Sequence, residues 1–432
     1  MTTRSVTRRI SGPATQLLRS RAIRGGLWVS IGNILDRGFR FARIAILARV
    51  LCPEDFGLMA IVTLGYTVVD AIAFAPMAQA IIRSPCGAST AYLNTVFTFS
   101  LIRGTGLGGL MFLGAPLVAS LFGDARLLSI TRLAALTPIA ASFINPEIHL
   151  LLKSLAFKRW TSYRCLSSLM STVSAILLTV WLRNVWALVI ALVIEQGVLS
   201  IVSYAYCSHR PALRWDRQAG ADVLQLCRRA FAIPLLLGAC LQAPTIILGR
   251  LTDYKTLGAF TLTLSLADIP TNLFTRAAAA VALPTYSTIE QADRLRTAWR
   301  KAAVVSVVAT IPIAVVIVLL APVFLTVAFG EQYASEAPVL RILMMYALFR
   351  MLANVTSPVL WKLGRPDADR TALVAGLVVL YPSAWVLTDM FGSTGMAGGL
   401  VLGWGATLMV VTFICERRLR VAGTLPCCNP EY

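Results

Sequence analysis

Three arginines at regular spacing, Arg37, Arg40 and Arg43, lie inside a long apolar segment near the start of the chain. A cation inside a bilayer is unfavourable, by about 2.5–3.5 kcal/mol on insertion scales, so such a residue must face protein or water. At 100° per residue these arginines share one helix face with Asn33 and Asp36, an arc roughly 120° wide. Guanidinium groups bind phosphate oxygens bidentately and keep their charge. The stripe therefore predicts a polar cavity suited to an anion.

Further charged residues fall inside other apolar segments and extend the candidate site. The arginines predicted to bind the anion are Arg37, Arg40, Arg43, Arg103, Arg276 and Arg350. The candidates for coupling to an ion gradient, as proton acceptors or sodium ligands, are Asp36, Asp70, Glu195 and Asp268. Internal ion pairing is the alternative for every member of both groups. Asp36 and Arg40, for example, have the spacing that pairs side chains along one helix.

The composition is that of a polytopic membrane protein. The 432 residues are 57% hydrophobic and 14% charged, with a mean hydropathy of +0.74, whereas soluble domains carry about 25% charged residues. The net charge of +19 is explained by basic loops beside anionic headgroups, and no nucleic-acid partner is expected. The sequence contains no phosphate-binding loop and no metal-ligand spacing, so neither ATP nor a metal or other cofactor is expected.

About twelve apolar segments have the length needed to cross a bilayer, and a spanning segment in lipid must be helical unless it closes a barrel. The approximate spans are 25–48, 57–80, 92–120, 127–151, 162–182, 185–206, 230–249, 257–282, 301–322, 334–359, 371–388 and 395–415. The predicted fold is an all-α integral membrane protein with two six-helix lobes around a central cationic cavity.

The distribution of basic residues predicts the orientation. With the N-terminus inside the cell, most of the 39 basic residues fall in cytoplasmic loops and few in outside loops. This asymmetry supports an even number of spans, with both termini cytoplasmic. The predicted parts are a cytoplasmic basic tail (1–24), an N-lobe (25–206), a cytoplasmic linker (207–229), a C-lobe (230–415) and a cytoplasmic C-terminal tail (416–432).

The two predicted lobes show a short internal similarity. Residues 46–49 read Ile-Leu-Ala-Arg and residues 247–250 read Ile-Leu-Gly-Arg, and a glycine follows each at the same spacing, Gly57 and Gly258. Both copies fall at the first outside loop of their lobe. A parallel repeat of this kind is typical of transporters that hold substrate between two halves.

The segment that starts at residue 46 also resembles a known family. It reads Ile-Leu-Ala-Arg-Val-Leu-Cys-Pro-Glu-Asp-Phe-Gly-Leu. This resembles the first-loop signature, LARLLTPEDFG, of bacterial polysaccharide flippases of the Wzx-like polysaccharide transporter family. That family belongs to the multidrug, oligosaccharidyl-lipid and polysaccharide exporter superfamily. Weaker similarities continue to about residue 420. One departure is Pro244, which stands where relatives commonly carry an acidic residue.

The resemblance implies a transport function and not an enzymatic one. Relatives of this kind move polyprenyl-diphosphate-linked oligosaccharides across the bacterial plasma membrane, for exopolysaccharide or lipopolysaccharide biosynthesis. They work by alternating access and use an ion gradient. The implied partners are the lipid-linked oligosaccharide, membrane lipids, and polysaccharide polymerase or export machinery. The implied location is the inner membrane.

Two other functions are compatible with a polytopic protein. A multidrug antiporter for cations would have an acidic cavity, and the excess of arginine over acid argues against it. A membrane glycosyltransferase or polysaccharide polymerase would usually need a sizeable aqueous loop with catalytic side chains. The predicted outside loops are too short to supply one.

Overall fold

The computed structural model describes residues 13–72, 75–287, 289, 291–363 and 366–421, and for stretches such as 271–285 it describes the backbone alone. The described elements are helices. The first set is α1 (Pro13–Val50), α2 (Pro53–Ile72), α3 (Met77–Arg83), α4 (Thr90–Phe122), α5 (Arg126–Ala134), α6 (Leu136–Ser142), α7 (Leu150–Lys153), α8 (Phe157–Leu182) and α9 (Val185–Tyr206). The second set is α10 (Arg217–Ala230), α11 (Ala232–Leu251), α12 (Tyr254–Ser287), α13 (Ala292–Leu319), α14 (Ala321–Phe329), α15 (Ala337–Lys362) and α16 (Pro366–Val421). Short 3₁₀ turns lie at Pro146–His149 and Glu331–Glu336.

The helices have the length and composition of membrane spans. By these two criteria, seven of the described helices can cross a membrane, or eight when one pair bent by 67° is taken as a single span. The prediction of an all-helical membrane fold is confirmed. The number twelve stays a prediction, although each predicted span coincides with described helix along most of its length.

Helix α16 contains two of the predicted spans, and it folds back on itself between them. Gly392 has φ +60° and ψ −133°, a backbone conformation that glycine adopts without steric cost. The two arms then run antiparallel, with Gly399 against Ala384 and Gly403 against Leu380. The absence of side chains on these glycines lets the arms approach closely.

Two other predicted spans are interrupted at prolines. The span 57–80 is divided into α2 and α3, and Pro76 immediately precedes α3. The span 127–151 is divided into α5, α6, a 3₁₀ turn that begins at Pro146, and α7. Proline lacks the N–H that would continue the helical hydrogen bonds and clashes with the preceding turn. These breaks leave room for polar side chains within the first lobe.

The predicted linker contains an ordered helix. Within 207–229, α10 packs its apolar face, which includes Ala219 and Val223, against Tyr92 and Val96 of α4. The segment before α10 is also bonded to α4, since the backbone N–H of Asp216 donates to the Thr95 hydroxyl at 3.0 Å. The linker therefore packs as part of the first lobe.

The outer surface of the bundle is apolar. Leu113, Trp181 and Ile201 lie on α4, α8 and α9, and they are 78%, 80% and 73% exposed. Soluble monomers rarely expose large contiguous apolar surfaces. In a bilayer these side chains contact lipid tails, so their exposure carries no hydrophobic penalty.

The two lobes touch where the internal repeat predicts equivalent positions. A side chain at Gly57 of α2 would overlap the carbonyl oxygen of Tyr254, and one at Gly258 of α12 would overlap the carbonyl oxygen of Pro53. The contact is thus reciprocal, because each helix start packs against the glycine of the other. It lies at the end of the bundle that is predicted to face outside.

Replacing Gly57 by alanine is expected to lower the thermal stability of the purified protein. The new methyl group would overpack the contact with α12, at a cost of about 1–3 kcal/mol. Gly65→Ala on the same helix is the matched control, since nothing lies within 4 Å of its Cβ position. Thermal unfolding in detergent, followed by size-exclusion chromatography, compares the two. Equal midpoints for both variants would contradict the close contact.

Candidate functional site

The predicted arginine stripe on α1 is bound to a buried acid from α9. Arg40 Nη1 lies 2.7 Å from Glu195 Oε1, and Arg43 Nη1 donates to Glu195 Oε2, also at 2.7 Å. Each carboxylate oxygen therefore takes one guanidinium. The Glu195 side chain is only 8% exposed, whereas that of Arg40 is 37% exposed. The acid lies behind Arg40, which remains accessible, whereas the Arg43 side chain is 17% exposed.

A second acid, Asp36, holds the inner part of the same stripe. Its carboxylate lies 3.4 Å from Arg40 Nε and 3.3 Å from Arg164 Nη2 of α8. The helices α1 and α8 pack closely here, since the hydroxyl of Ser168 donates to the backbone carbonyl of Asp36 at 3.5 Å. Asp36 therefore joins arginines from two helices. We call Arg37, Arg40, Arg43, Arg164, Asp36 and Glu195 the arginine cluster.

The amphipathic pattern of α1 explains why the cluster forms on this face. Ile31, Ile34 and Leu35 lie on the opposite side of the helix and are exposed. A helix with one charged and one apolar face places the charged face towards protein when lipid surrounds it. The position of the stripe within the bundle follows from this separation.

Arg164 was missed as a site residue by sequence reasoning, which counts it among the cytoplasmic basic residues at the inner end of the span 162–182. Helix α8 begins at Phe157, before the predicted span 162–182, and this puts Arg164 two turns into the helix. The available signal was the residue order after Phe157, which contains no glycine or proline to break a helix. Because basic residues are usually assigned to loops, the charge of Arg164 favours its assignment to the cytoplasmic side.

A further pair lies in the second lobe. Arg350 of α15 donates to the Asp268 carboxylate of α12 at 2.7 Å and to the Tyr346 hydroxyl at 2.9 Å. The guanidinium also lies over the ring of Trp404, 5.6 Å from its centroid. These contacts fix Arg350 within its own lobe.

The second-lobe pair lies close to the arginine cluster. The charge of Arg37 on α1 interacts with that of Asp268 on α12. The inner part of the stripe therefore lies near enough to the second lobe for its charge to act there. The side chain of Arg276, another predicted member of the site, lies outside the described part of the structure.

The remaining predicted residues form a separate pair within the first lobe. Arg103 of α4 donates to Asp70 of α2. The pair lines a cavity of about 160 Å³ together with Tyr66, Ser142 and His149. The break between α2 and α3 lies beside this cavity. Arg103 is therefore held by an acid of its own lobe, as the alternative of internal pairing predicted.

The arrangement keeps an excess of positive charge despite these pairs. Among the described side chains of the cluster and its neighbour in the second lobe, five arginines face three carboxylates. The arginines are Arg37, Arg40, Arg43, Arg164 and Arg350, and the acids are Asp36, Glu195 and Asp268. Guanidinium groups keep their charge at any pH a cell experiences. The region can therefore attract and hold an anion with more than one negative oxygen.

Two solved structures share the fold. A lipid II flippase, MurJ, in an inward closed conformation matches with a TM-score of 0.74 and 12% identity, over 91% of this chain and 89% of that one. An inward-facing multidrug resistance transporter of the MATE family, from the MOP superfamily, matches with a TM-score of 0.69 and 17% identity, over 89% of this chain and 94% of that one. The two-lobed architecture is thus that of membrane transporters, and the chain is a multi-pass membrane protein.

Curated relatives agree with this fold and add a biological context. TuaB of Bacillus subtilis (strain 168), a teichuronic acid biosynthesis protein, is 22% identical over 76% of this chain and 67% of its own length. WzxC of Escherichia coli (strain K12), a lipopolysaccharide biosynthesis protein, is 22% identical over 89% of this chain and 79% of its own length. The profile of the family described as "Polysaccharide biosynthesis protein" matches residues 46–338. This match covers more than half of the sequence and confirms the resemblance, so the chain belongs to that family of polysaccharide biosynthesis proteins.

Proposed function

We propose that this protein is a flippase for lipid-linked oligosaccharide. It moves a polyprenyl-diphosphate-linked oligosaccharide across the bacterial plasma membrane, by alternating access and with energy from an ion gradient. The product serves the biosynthesis of exopolysaccharide or lipopolysaccharide. The observation that carries the proposal is the excess of arginine at the boundary between the two lobes. The named functions of WzxC, TuaB and MurJ support it.

The chemistry of the arginine cluster suits the diphosphate of such a lipid. Each guanidinium presents parallel N–H groups that match two phosphate oxygens, and ionised partners strengthen these hydrogen bonds. Arg40 and Arg43 point their Nη1 atoms to one position, now taken by the Glu195 carboxylate. A carboxylate and a phosphate present similar pairs of oxygens. The diphosphate can therefore replace the acid at these two arginines.

The geometry between the lobes suits alternating access. The reciprocal contact at Gly57 and Gly258 joins the lobes at the predicted outer end. Nearby, Gln332 donates to the carbonyl of Ala48 at 3.2 Å across the same boundary. With this end closed, the headgroup enters from the cytoplasmic side while the polyprenyl tail stays in the bilayer. Separation of the two glycines then opens the outer end.

The sign of the charge favours this function over the two alternatives. A cationic drug would be repelled by a site in which five arginines face three acids, and this disfavours a multidrug antiporter. A glycosyltransferase or polymerase would place its catalytic groups in an aqueous loop or domain. Here the charged residues of the candidate site lie within the helices, which is typical of a pathway through the membrane.

Arg40→Ala and Arg43→Ala are each expected to reduce polymer export at least tenfold in a strain that lacks the native protein. Each substitution removes a charged hydrogen-bond donor to the phosphate, and this weakens headgroup binding by about 1.5–3 kcal/mol. Arg40→Lys should restore export only in part, because an ammonium group cannot bind bidentately. The measurement is the polysaccharide released per cell, normalised to the amount of protein in the membrane.

Arg341→Ala is the control for these variants. Arg341 lies on α15, is exposed, and donates to the carbonyl of Val318 at 3.2 Å, away from the arginine cluster. Its substitution should leave export within about twofold of the wild type. Normal export from an Arg40→Ala, Arg43→Ala double variant would exclude the cluster as the headgroup site.

A binding experiment separates the flippase from a cation transporter. The purified protein in nanodiscs is expected to bind farnesyl diphosphate about tenfold more tightly than farnesyl monophosphate, since an extra charge-assisted contact is worth about 1.4 kcal/mol or more. Ethidium, a typical drug cation, should bind weakly or not at all. Binding of ethidium with no binding of the diphosphate would favour the multidrug alternative.

A further inference from the structure

The phosphate site of the proposed flippase is occupied by the protein's own carboxylates. Glu195 places one oxygen 2.7 Å from Arg40 and the other 2.7 Å from Arg43. Asp36 lies 3.4 Å from Arg40 as well. These contacts use the N–H groups that an incoming diphosphate needs. Substrate and acid therefore compete for the same two arginines.

The two acids differ in the partners that they keep when the headgroup binds Arg40 and Arg43. Among the described contacts, the Glu195 carboxylate is held by Arg40 and Arg43 of α1. The Asp36 carboxylate is held by Arg40 and by Arg164 of α8. Cys165 of α8 also lies near Asp36, and its thiol donates to the carbonyl of Gly32 at 3.8 Å. Glu195 in particular depends on the arginines for its negative charge.

A carboxylate that loses its cation inside a membrane protein is costly to keep ionised. Removal of one partner from a buried pair is strongly destabilising when the other charge stays. Protonation of the acid removes this cost, because a neutral carboxylic acid is easily accommodated and can donate a hydrogen bond. The 8% exposure of the Glu195 side chain leaves little water to stabilise the ion instead.

We propose that Glu195 is a proton-binding competitor of the substrate headgroup. When the diphosphate binds Arg40 and Arg43, the Glu195 carboxylate is displaced and takes a proton from water at the open end of the cavity. When the headgroup leaves, Glu195 releases the proton and pairs with both arginines again. Asp36 takes part in the same exchange through Arg40. This inference rests on the proposed function and adds that a proton binds and leaves together with the headgroup.

The sign of the linkage follows from this exchange. Because a proton is taken up when the headgroup binds, a higher proton concentration strengthens headgroup binding. The coupling free energy between the two ligands is the same in both directions. The affinity for the headgroup therefore rises as the pH falls. A variant that cannot ionise at position 195 binds the headgroup more tightly, because no competitor remains, and it loses this part of the pH dependence.

The exchange also constrains the source of energy. A proton that enters and leaves together with the headgroup travels outward, which a proton gradient directed inward opposes. The diphosphate still carries net negative charge with the proton bound, so a membrane potential that is negative inside favours its outward movement. The electrical part of the ion gradient then drives the transport.

Isothermal titration calorimetry of the full-length protein in nanodiscs tests the competition directly. Farnesyl diphosphate is the probe, and the titration is repeated at one pH in two buffers with different ionisation enthalpies. The dependence on buffer gives the number of protons taken up for each probe bound. The wild type is expected to take up more protons than Glu195→Gln, and the variant is expected to bind at least threefold more tightly. Titration of the probe itself cancels in this comparison.

Glu147→Gln is the matched control. Glu147 accepts a hydrogen bond from the backbone N–H of His209 at 2.7 Å, and no described contact joins it to the arginine cluster, so its substitution should change neither proton uptake nor affinity. If Glu195→Gln does not fold, Asp36→Asn is tested instead, because Asp36 also pairs with Arg40 and competes with the headgroup for it.

The outcomes distinguish the competition at Glu195 from the proposed flippase function. Equal proton uptake by the wild type and the variants, with binding intact, would overturn the competition but leave the flippase function standing. Weaker binding by Glu195→Gln would overturn it as well, since a competitor's removal must help the ligand. A wild type and variants that all fail to bind the diphosphate would count against the proposed function itself.

Discussion

The cost of a guanidinium charge in a lipid bilayer governs how this protein is assembled. Each arginine within the spans must find a carboxylate, an aromatic ring or water, because the hydrocarbon offers none of these. The resulting pairs join helices that are far apart in sequence, as in Arg43 with Glu195 and Arg350 with Asp268. A pair of this kind stabilises little by itself, but breaking it is expensive. The pairs therefore specify which helices pack together more than they add to overall stability.

The same constraint explains why the charged region lies between two lobes. Each lobe satisfies some of its charges internally, as Asp70 and Arg103 show in the first and Asp268 and Arg350 in the second. The excess of arginine remains at the boundary, where Arg37 interacts with Asp268. In the proposed function, this boundary opens and the excess of arginine meets the anionic headgroup there. Transport and packing would then use the same residues.

The contact between the lobes has a different physical basis. Gly57 and Gly258 allow backbone to meet backbone. The Tyr254 hydroxyl adds a hydrogen bond to the carbonyl of Phe122 at 2.9 Å across the same boundary. The repeat in the sequence places one glycine in each lobe, and this is why the contact is reciprocal. The neighbouring pair between Gln332 and Ala48 adds a single hydrogen bond.

The sequence by itself determined the class of the protein and the location of its unusual charges. Apolar length and basic loops indicate a helical membrane protein, and the signature at residue 46 indicates the family, because both are local properties of the chain. The sequence also marked Arg37, Arg40 and Arg43 as one helix face. Only the tertiary structure decided which acid meets which arginine, placed Arg164 in the cluster and put Glu195 behind Arg40. Those facts depend on how α1, α8 and α9 pack, and helical periodicity says which face a residue occupies but not which helix lies opposite.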